Sequence, residues 1–274
     1  MIHPPKPPAI DGSDPQKPLE NWVSGKFVLV TRPERQSGSL CELFEAKGAK
    51  TRRHPVIEIS PAENQRDLIE AVSQIGDFEW LVLVSRNAVR FAMEAVEEVF
   101  GELDQAPFGK VAAIGQSTAD LFYSITGRKV DLVPVTANSE TLGTELGEIA
   151  GVEKVMVFRG NRGSAVLGQY LSDAKLNFRE VVVYQSQDVA VPQPEVQSLL
   201  QAGKVDWVTV TSSAIAKATV ALFGEDLKRT KLVSISPGVT QVLTDSGFEV
   251  AAEASSPGMK ELVAAVNACE CDTC

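Results

Sequence analysis

The strongest constraint on this chain is that it repeats itself. Phe27-Val28-Leu29-Val30 is a short apolar run that reads as a buried strand. It is followed by the turn Thr31-Arg32-Pro33, then by Leu40, Leu43 and Phe44 at helical spacing, with Gly48 as a stop. The same order returns in Val155-Met156-Val157-Phe158, Arg159-Gly160-Asn161-Arg162-Gly163, and Leu167, Tyr170 and Leu171. Ala46-Lys47 recurs as Ala174-Lys175, 128 residues later. A strand is expected to close each segment, at Val56-Ile57 and at Val181-Val182-Val183-Tyr184.

Two further blocks recur in the same order. Asp77-Phe78-Glu79-Trp80-Leu81-Val82-Leu83-Val84-Ser85 matches Lys204-Val205-Asp206-Trp207-Val208-Thr209-Val210-Thr211-Ser212, with the tryptophans 127 apart. Helices are expected after each, from Ala88 to Phe100 and from Ala214 to Phe223. Val111-Ala112-Ala113-Ile114-Gly115 pairs with Leu232-Val233-Ser234-Ile235-Ser236, and the helices that follow reach Leu142 and Leu262, 120 apart. Three blocks in one order at nearly one offset indicate an internal duplication. Strands alternating with helices make each copy an α/β unit with a parallel sheet covered by helices.

Length and composition bound the chemistry. At about 100–200 residues per domain, 274 residues suggest two domains. The net charge of −10 argues against a nucleic-acid partner, because phosphate binding needs a basic face. The longest apolar run, near Trp80–Val84, falls far short of the roughly 18 residues of a membrane span. Residues 1–24 carry six prolines and no apolar stretch of signal-peptide type, so a disordered arm is expected there. Cysteines stand only at 41, 269, 271 and 274, a distribution unlike a disulfide framework and consistent with a cytoplasmic protein. The tail Cys269-x-Cys271-x-x-Cys274 has metal-ligand chemistry but lacks a fourth ligand at motif spacing, so no metal is expected. With only His3 and His54, a Ser-His-Asp hydrolase or a His-ligated zinc enzyme is disfavoured. Neither a dinucleotide fingerprint nor a phosphate-binding loop occurs, and no cofactor is expected.

Ligands of open parallel sheets bind beyond the carboxyl ends of the strands. There the chain places Thr31-Arg32, Ser85-Arg86-Asn87, Gly115-Gln116-Ser117-Thr118, Arg159-Gly160-Asn161-Arg162, Thr211-Ser212-Ser213 and Ser236-Pro237-Gly238. Each opens a helix whose unpaired N–H groups attract anions, although the same residue types also serve simply as N-caps. Arg32, Arg35, Arg86, Arg90, Arg159 and Arg162 add fork-shaped donors suited to carboxylates. Tyr184 ends an apolar strand where the chain is expected to leave one domain. Its phenol either donates a proton to a ligand or merely caps the sheet.

These segments together resemble the uroporphyrinogen-III synthase family. The carriers are Leu29–Pro33, Trp80–Val89, Ala113–Ala119, Phe158–Gly163, Val183–Gln185, Thr211–Ala214 and Ile235–Pro237, and the likeness covers about residues 26–267. It implies two flavodoxin-like or Rossmann-like three-layer α/β domains joined by a two-stranded linker near 54–58 and 183–188. One domain would be 25–56 with 187–274, the other 57–183, with the active site in the cleft. The reaction implied is cofactor-free closure of the linear tetrapyrrole hydroxymethylbilane to uroporphyrinogen III, in haem biosynthesis, with loss of water and inversion of ring D. By that resemblance Tyr184 assists departure of the hydroxyl. Arg32, Ser85, Asn87, Gly115, Thr118, Gly160, Arg162, Thr211, Ser212, Ser236 and Thr240 become candidates for binding the eight carboxylates. Either Val239 or Thr240, one place later, takes the position where the family usually has threonine. A monomer is expected. The competing reading is a non-catalytic two-lobed protein that binds a polycarboxylate.

Overall fold

The computed structural model describes residues 23–149 and 151–271. The expected arm at 1–24, apart from its last two residues, lies outside them, as does Cys274. The chain begins with β1 (Phe27–Val30), α1 (Glu34–Glu45) and β2 (Lys50–Arg53). It continues through β3 (Ile57–Pro61), α2 (Gln65–Ser73), β4 (Trp80–Leu83), α3 (Arg86–Phe100), β5 (Lys110–Ala113), α4 (Gln116–Thr126), α5 (Ser139–Glu148), β6 (Lys154–Gly160), α6 (Val166–Asp173) and β7 (Asn177–Asp188). It then runs through α7 (Pro194–Gln201), β8 (Trp207–Val210), α8 (Ser213–Phe223), β9 (Lys231–Ser234), α9 (Pro237–Asp245), β10 (Ala252–Glu253) and α10 (Met259–Cys271).

These elements form two compact units. One takes the described residues through His54 and from Val191 onward; the other is Pro55–Ala190. The boundaries fall a few residues from those expected: residues 55–56 and 187–190, expected with the first unit, lie in the second. The cause is strand pairing. β3 pairs antiparallel with the last part of β7, from Ile57 opposite Asp188 to Pro61 opposite Tyr184, at the edge of the second unit's sheet. The strand expected at Val56-Ile57 is likewise displaced. β2 is the polar segment Lys50–Arg53, and Ile57 opens β3 in the other sheet. An edge strand with mostly exposed side chains lacks the apolar run by which a buried strand is recognised.

The first unit's sheet has the order β10-β9-β8-β1-β2, all parallel. The second has β3-β7-β6-β4-β5, parallel except for β3. The two agree place for place: β2-β1-β8-β9 in one corresponds to β7-β6-β4-β5 in the other. Both sheets even share the contacts at the amino ends of their strands. Asp206 accepts the Phe27 N–H at 2.7 Å, and Glu79 accepts the N–H groups of Glu153 and Lys154 at 2.9 and 2.5 Å. These bonds hold the Glu79 carboxyl below its ordinary range. Lys231 lies over the Trp207 ring and Lys110 over Trp80, at 5.4 and 5.6 Å.

The cores follow from side-chain alternation along the strands. In the second unit, Leu81, Leu83, Val111, Met156 and Phe158 pack with α2, α3 and Phe122 of α4 on one face. Trp80, Val82, Ala112, Val155 and Val157 pack with α5 and α6 on the other, which makes three layers. In the first unit Val28, Val30, Trp207 and Val233 pack against α1 and α10, while the alternate residues Leu29, Val208 and Leu232 are equally buried. Glu270, near the end of α10, accepts from Trp207 Nε1 at 2.9 Å and from Lys26 and Lys231 at 2.7 and 2.9 Å. Burial by itself would raise this carboxyl's pKa, but the three donors outweigh it and hold the group below the usual carboxylate range. Among the described residues no helix is long and apolar enough to cross a membrane.

Candidate active site

Because β1, β8 and β9 in one sheet and β4, β5 and β6 in the other run parallel, their carboxyl ends form a rim on each unit. In the first unit β9, β8 and β1 are adjacent and lead into Ser236, Thr211-Ser212 and Arg32. In the second, β6, β4 and β5 are adjacent and lead into Gly160-Asn161-Arg162, Ser85-Arg86-Asn87 and Gly115 to Thr118. The candidates therefore gather into two groups, one on each unit.

On the first rim, the Thr31 hydroxyl is buried and donates to the Thr209 carbonyl at 2.5 Å, which joins β1 to β8. The next side chain, Arg32, is half-buried. Its Nε donates to the Gln36 carbonyl at 3.1 Å, one Nη lies 3.3 Å from Gln36 Oε1 and the other 3.6 Å from Met259 Sδ. Among the described residues no carboxylate is within ion-pair distance of it. Burial lowers its pKa from the ordinary arginine value, yet a guanidinium stays charged, so this is a cation without an anion. Ser212 caps α8 by accepting from the Ile215 N–H at 3.2 Å. The Thr211 hydroxyl is buried and has no hydrogen-bond partner among the described residues. Ser236 precedes α9 without a side-chain cap bond.

On the second rim, Ser85 caps α3 by accepting from the Ala88 N–H at 3.0 Å. Asn87 follows in the first turn, half-buried, and Arg86 donates to the Ser117 carbonyl at 3.1 Å. Gly115 precedes α4 in extended backbone and supplies no side-chain cap. A Cβ there would lie 3.0 Å from the Ala137 side chain. Thr118, in the first turn of α4, is buried, and its N–H donates to the Gly115 carbonyl at 3.0 Å. Arg159 within β6 and Arg162 just after it already have acidic partners. Arg159 pairs with Glu180 and Arg162 with Asp188, each at 2.6 Å. Arg159 also donates to the Gly163 carbonyl.

The structure separates Thr240 from Val239. Val239 N–H donates to the Ser236 carbonyl as Thr118 N–H does to Gly115, so Val239 occupies on α9 the place of Thr118 on α4, and its side chain is buried. Thr240 instead lies 2.6 Å from the Ser234 hydroxyl and bonds the Glu253 carboxylate. Its hydroxyl is committed within the first unit.

Tyr184 sits on β7 beside Gly160 of β6, at an irregularity in their register: Arg159 pairs with Val182, but Gly160 pairs with Tyr184. Its ring stacks on Phe91 of α3 at 5.8 Å and an interplanar angle of 19°, and its hydroxyl lies 3.4 Å from Ser85 Oγ. Nothing in the local sequence around Phe91 marks it as a neighbour of Tyr184. The acidic partners of Arg159 and Arg162 carry no local signal either. His54, the last residue of the first unit before the crossing, is buried, both its ring nitrogens lack a partner among the described residues, and its ring is 5.4 Å from Phe223. Burial foremost, and then the Arg52 charge, lower its pKa. Cys269 and Cys271 lie at the end of α10, and among the described residues no three His, Cys, Asp or Glu side chains converge as metal ligands would.

Comparison with known proteins gives the family and the fold. The family model for uroporphyrinogen-III synthase HemD matches residues 38–264. A uroporphyrinogen-III synthase of Synechococcus elongatus is 27% identical over 210 residues, which cover 76% of this chain and 78% of that protein. The porphyrin biosynthesis protein HemD of Ruminiclostridium josui is 23% identical over 74% of this chain, which spans only 40% of that longer protein. Among solved structures, a mutant uroporphyrinogen III synthase of Thermus thermophilus superposes with a TM-score of 0.62 at 16% identity, covering 90% of this chain and all of that one. That likeness supports the two-unit α/β fold.

Proposed function

This chain belongs to the uroporphyrinogen-III synthase family, and on that premise we propose how its residues close hydroxymethylbilane to uroporphyrinogen III. The match across residues 38–264 carries the reading, and the site chemistry agrees with it. The alternative, a polycarboxylate-binding protein without activity, draws no support from relatives that bear the synthase name.

The substrate's carboxylates call for many dispersed donors. Arg32 is a half-buried cation lacking an acidic partner among the described residues, the condition under which an incoming carboxylate gains most. The starts of α4 and α9, which no side chain caps, offer N–H groups after Gly115 and Ser236. Ser212, Thr211, Asn87 and Thr118 add hydroxyl and amide groups beside these positions. Gly160 ends β6, and Arg162 just after it is already paired with Asp188 and contributes least to binding.

Tyr184 is the proton donor in this reading. Its proton leaves with the ring-A hydroxyl as water as the C–O bond breaks, and an azafulvene cation remains. The substituted carbon of ring D attacks that cation to give a spiro intermediate; the bond from that carbon to the ring-C bridge then breaks, ring D turns over, its free α carbon closes onto the bridge carbon, and the proton lost there returns to the Tyr184 phenolate. Binding must hold the chain ends so that this hindered carbon reacts ahead of the open one. The polar rims supply that restraint. We also take the protein to be a cytoplasmic monomer. Its cysteine usage and acidic balance support this, and elution mass measurement tests it.

The decisive experiment mixes purified protein with hydroxymethylbilane and identifies the product isomer. Isomer III is expected. Isomer I alone, at the rate without protein, ends the proposal. Tyr184→Phe is expected to lower kcat by about 10–100-fold, the contribution of a moderate general acid. An unchanged rate removes Tyr184 from the chemistry and leaves the carboxylate binding standing.

A further inference from the structure

Tyr184 has neighbours that the reaction itself does not explain. In a regular strand, consecutive side chains face opposite ways. Val183 and Tyr184 nevertheless both pack against the cluster built around α3. The register irregularity at Gly160 accounts for this: β7 places one extra residue opposite β6, and the bulge turns Tyr184 onto the face of Val183. There the ring meets two surfaces. Phe91 stacks on it at 5.8 Å, nearly parallel. Gly160 lies beneath its phenol end, where an added Cβ would stand 2.5 Å from Cζ and 2.8 Å from the hydroxyl oxygen. No side chain fits between strand and ring. Ser85 closes the arrangement, with Oγ accepting from the Ala88 N–H and lying 3.4 Å from the phenol oxygen.

We infer that Phe91 and Gly160 form a seat for the Tyr184 ring and are positioning residues that set the direction of its hydroxyl. This rests on the reading of Tyr184 as proton donor and refines it, since it makes Gly160 a groove for tyrosine in place of a substrate contact. Ser85 serves the same seat. With its oxygen accepting from α3, its hydrogen is directed to the phenol oxygen and stabilises the charge left there when the proton departs. Held between two surfaces, the ring loses little freedom when substrate binds, and a small tilt carries the hydroxyl off its line of transfer.

The test is a double-mutant cycle in purified full-length protein, read as kcat and KM for hydroxymethylbilane. Gly160→Ala and Phe91→Leu are each expected to lower kcat by about 10-fold with KM within about twofold, because the ring is displaced while carboxylate binding persists. Phe91→Tyr, which keeps the stacking surface, is expected to retain most of the rate. In a Tyr184→Phe background, Gly160→Ala is expected to cost less than about twofold, since no hydroxyl remains to aim. The inference is overturned if Gly160→Ala costs as much with Phe at 184 as with Tyr, or if it raises KM at constant kcat. It is also overturned if both seat variants keep full rate while Tyr184→Phe does not, which leaves the proton-donor reading intact. A full rate for Tyr184→Phe overturns both. Should Gly160→Ala fail to fold, Phe91→Leu against Phe91→Tyr decides.

Discussion

The end of β1 and the end of β6 occupy the same place in two matching sheets, 127 residues apart in the chain, and have taken opposite forms. In the first, Thr31 is spent on the neighbouring strand, and among the described residues Arg32 is left half-buried without an acidic partner. In the second, Arg159 stands where Arg32 does and is spent on Glu180, and Gly160, in the place of Pro33, has no side chain. One unit leaves its arginine uncompensated; the other pairs it and keeps a space beside it, which Tyr184 fills. Two matching sheets supply equivalent places at strand ends, and single residues decide whether a place binds or hosts chemistry.

The sharpest way to break this comparison is to remove the unpaired charge. Arg32→Ala is expected to raise KM by about 10–100-fold, the worth of one charge-assisted bond to a carboxylate, with kcat much less affected. Steady-state kinetics checks this, and an unchanged KM would mean that the first loop does not touch substrate. Next in size is the stability of the first unit. Glu270 has no counterpart on α5, which ends at Glu148. Removing it leaves Trp207 Nε1 without its acceptor and takes the near carboxylate from Lys231 and Lys26, the latter keeping Asp206 at 4.0 Å. The lysine side chains are 33% and 39% exposed and rehydrate in part, so Glu270→Ala is expected to cost about 2 kcal/mol in denaturant unfolding. Its folded pKa is depressed, so this stabilisation is present above the unfolded carboxylate range and is lost as pH falls through the folded value.

A smaller effect appears at milder acidity. His54 is held neutral, its pKa lowered by burial and by Arg52, so the unfolded chain takes up its proton first as pH drops. Stability of the first unit is then full above the unfolded histidine value near 6.5 and declines as pH falls from there toward the folded value. His54→Leu should flatten that segment of a stability–pH curve, and a curve that keeps its slope assigns it to another group. Least of all should change with Arg162→Ala. Its pair with Asp188 is exposed, and KM is expected to move by less than about threefold. A larger rise would make the second loop a charge-binding loop like the first.

Much of the fold was legible because its signals are local. Val28–Val30, Val208–Val210 and Val155–Phe158 read as strands from a few adjacent residues, and Ser85 and Ser212 read as caps from the helix that follows. The edge strand β2 was not legible, since Lys-Thr-Arg-Arg needs no apolar face. The rim residues could be named from the sequence, but their state of pairing could not. Thr240 looked equivalent to Thr118 by residue type, and only the helix register gave that place to Val239.

The order of the elements, the twin α/β units and the polar strand ends were therefore determined by the sequence alone, because periodicity, turn residues and repetition act within a short stretch of chain. Which arginine stays uncompensated, where β7 bulges, and that Phe91 rather than another aromatic ring lies on Tyr184 were decided only in the tertiary structure. Those outcomes depend on pairing between segments far apart in the chain, such as Arg32 with Met259 or Gly160 with Tyr184, and a shift of one residue in strand register would reverse them.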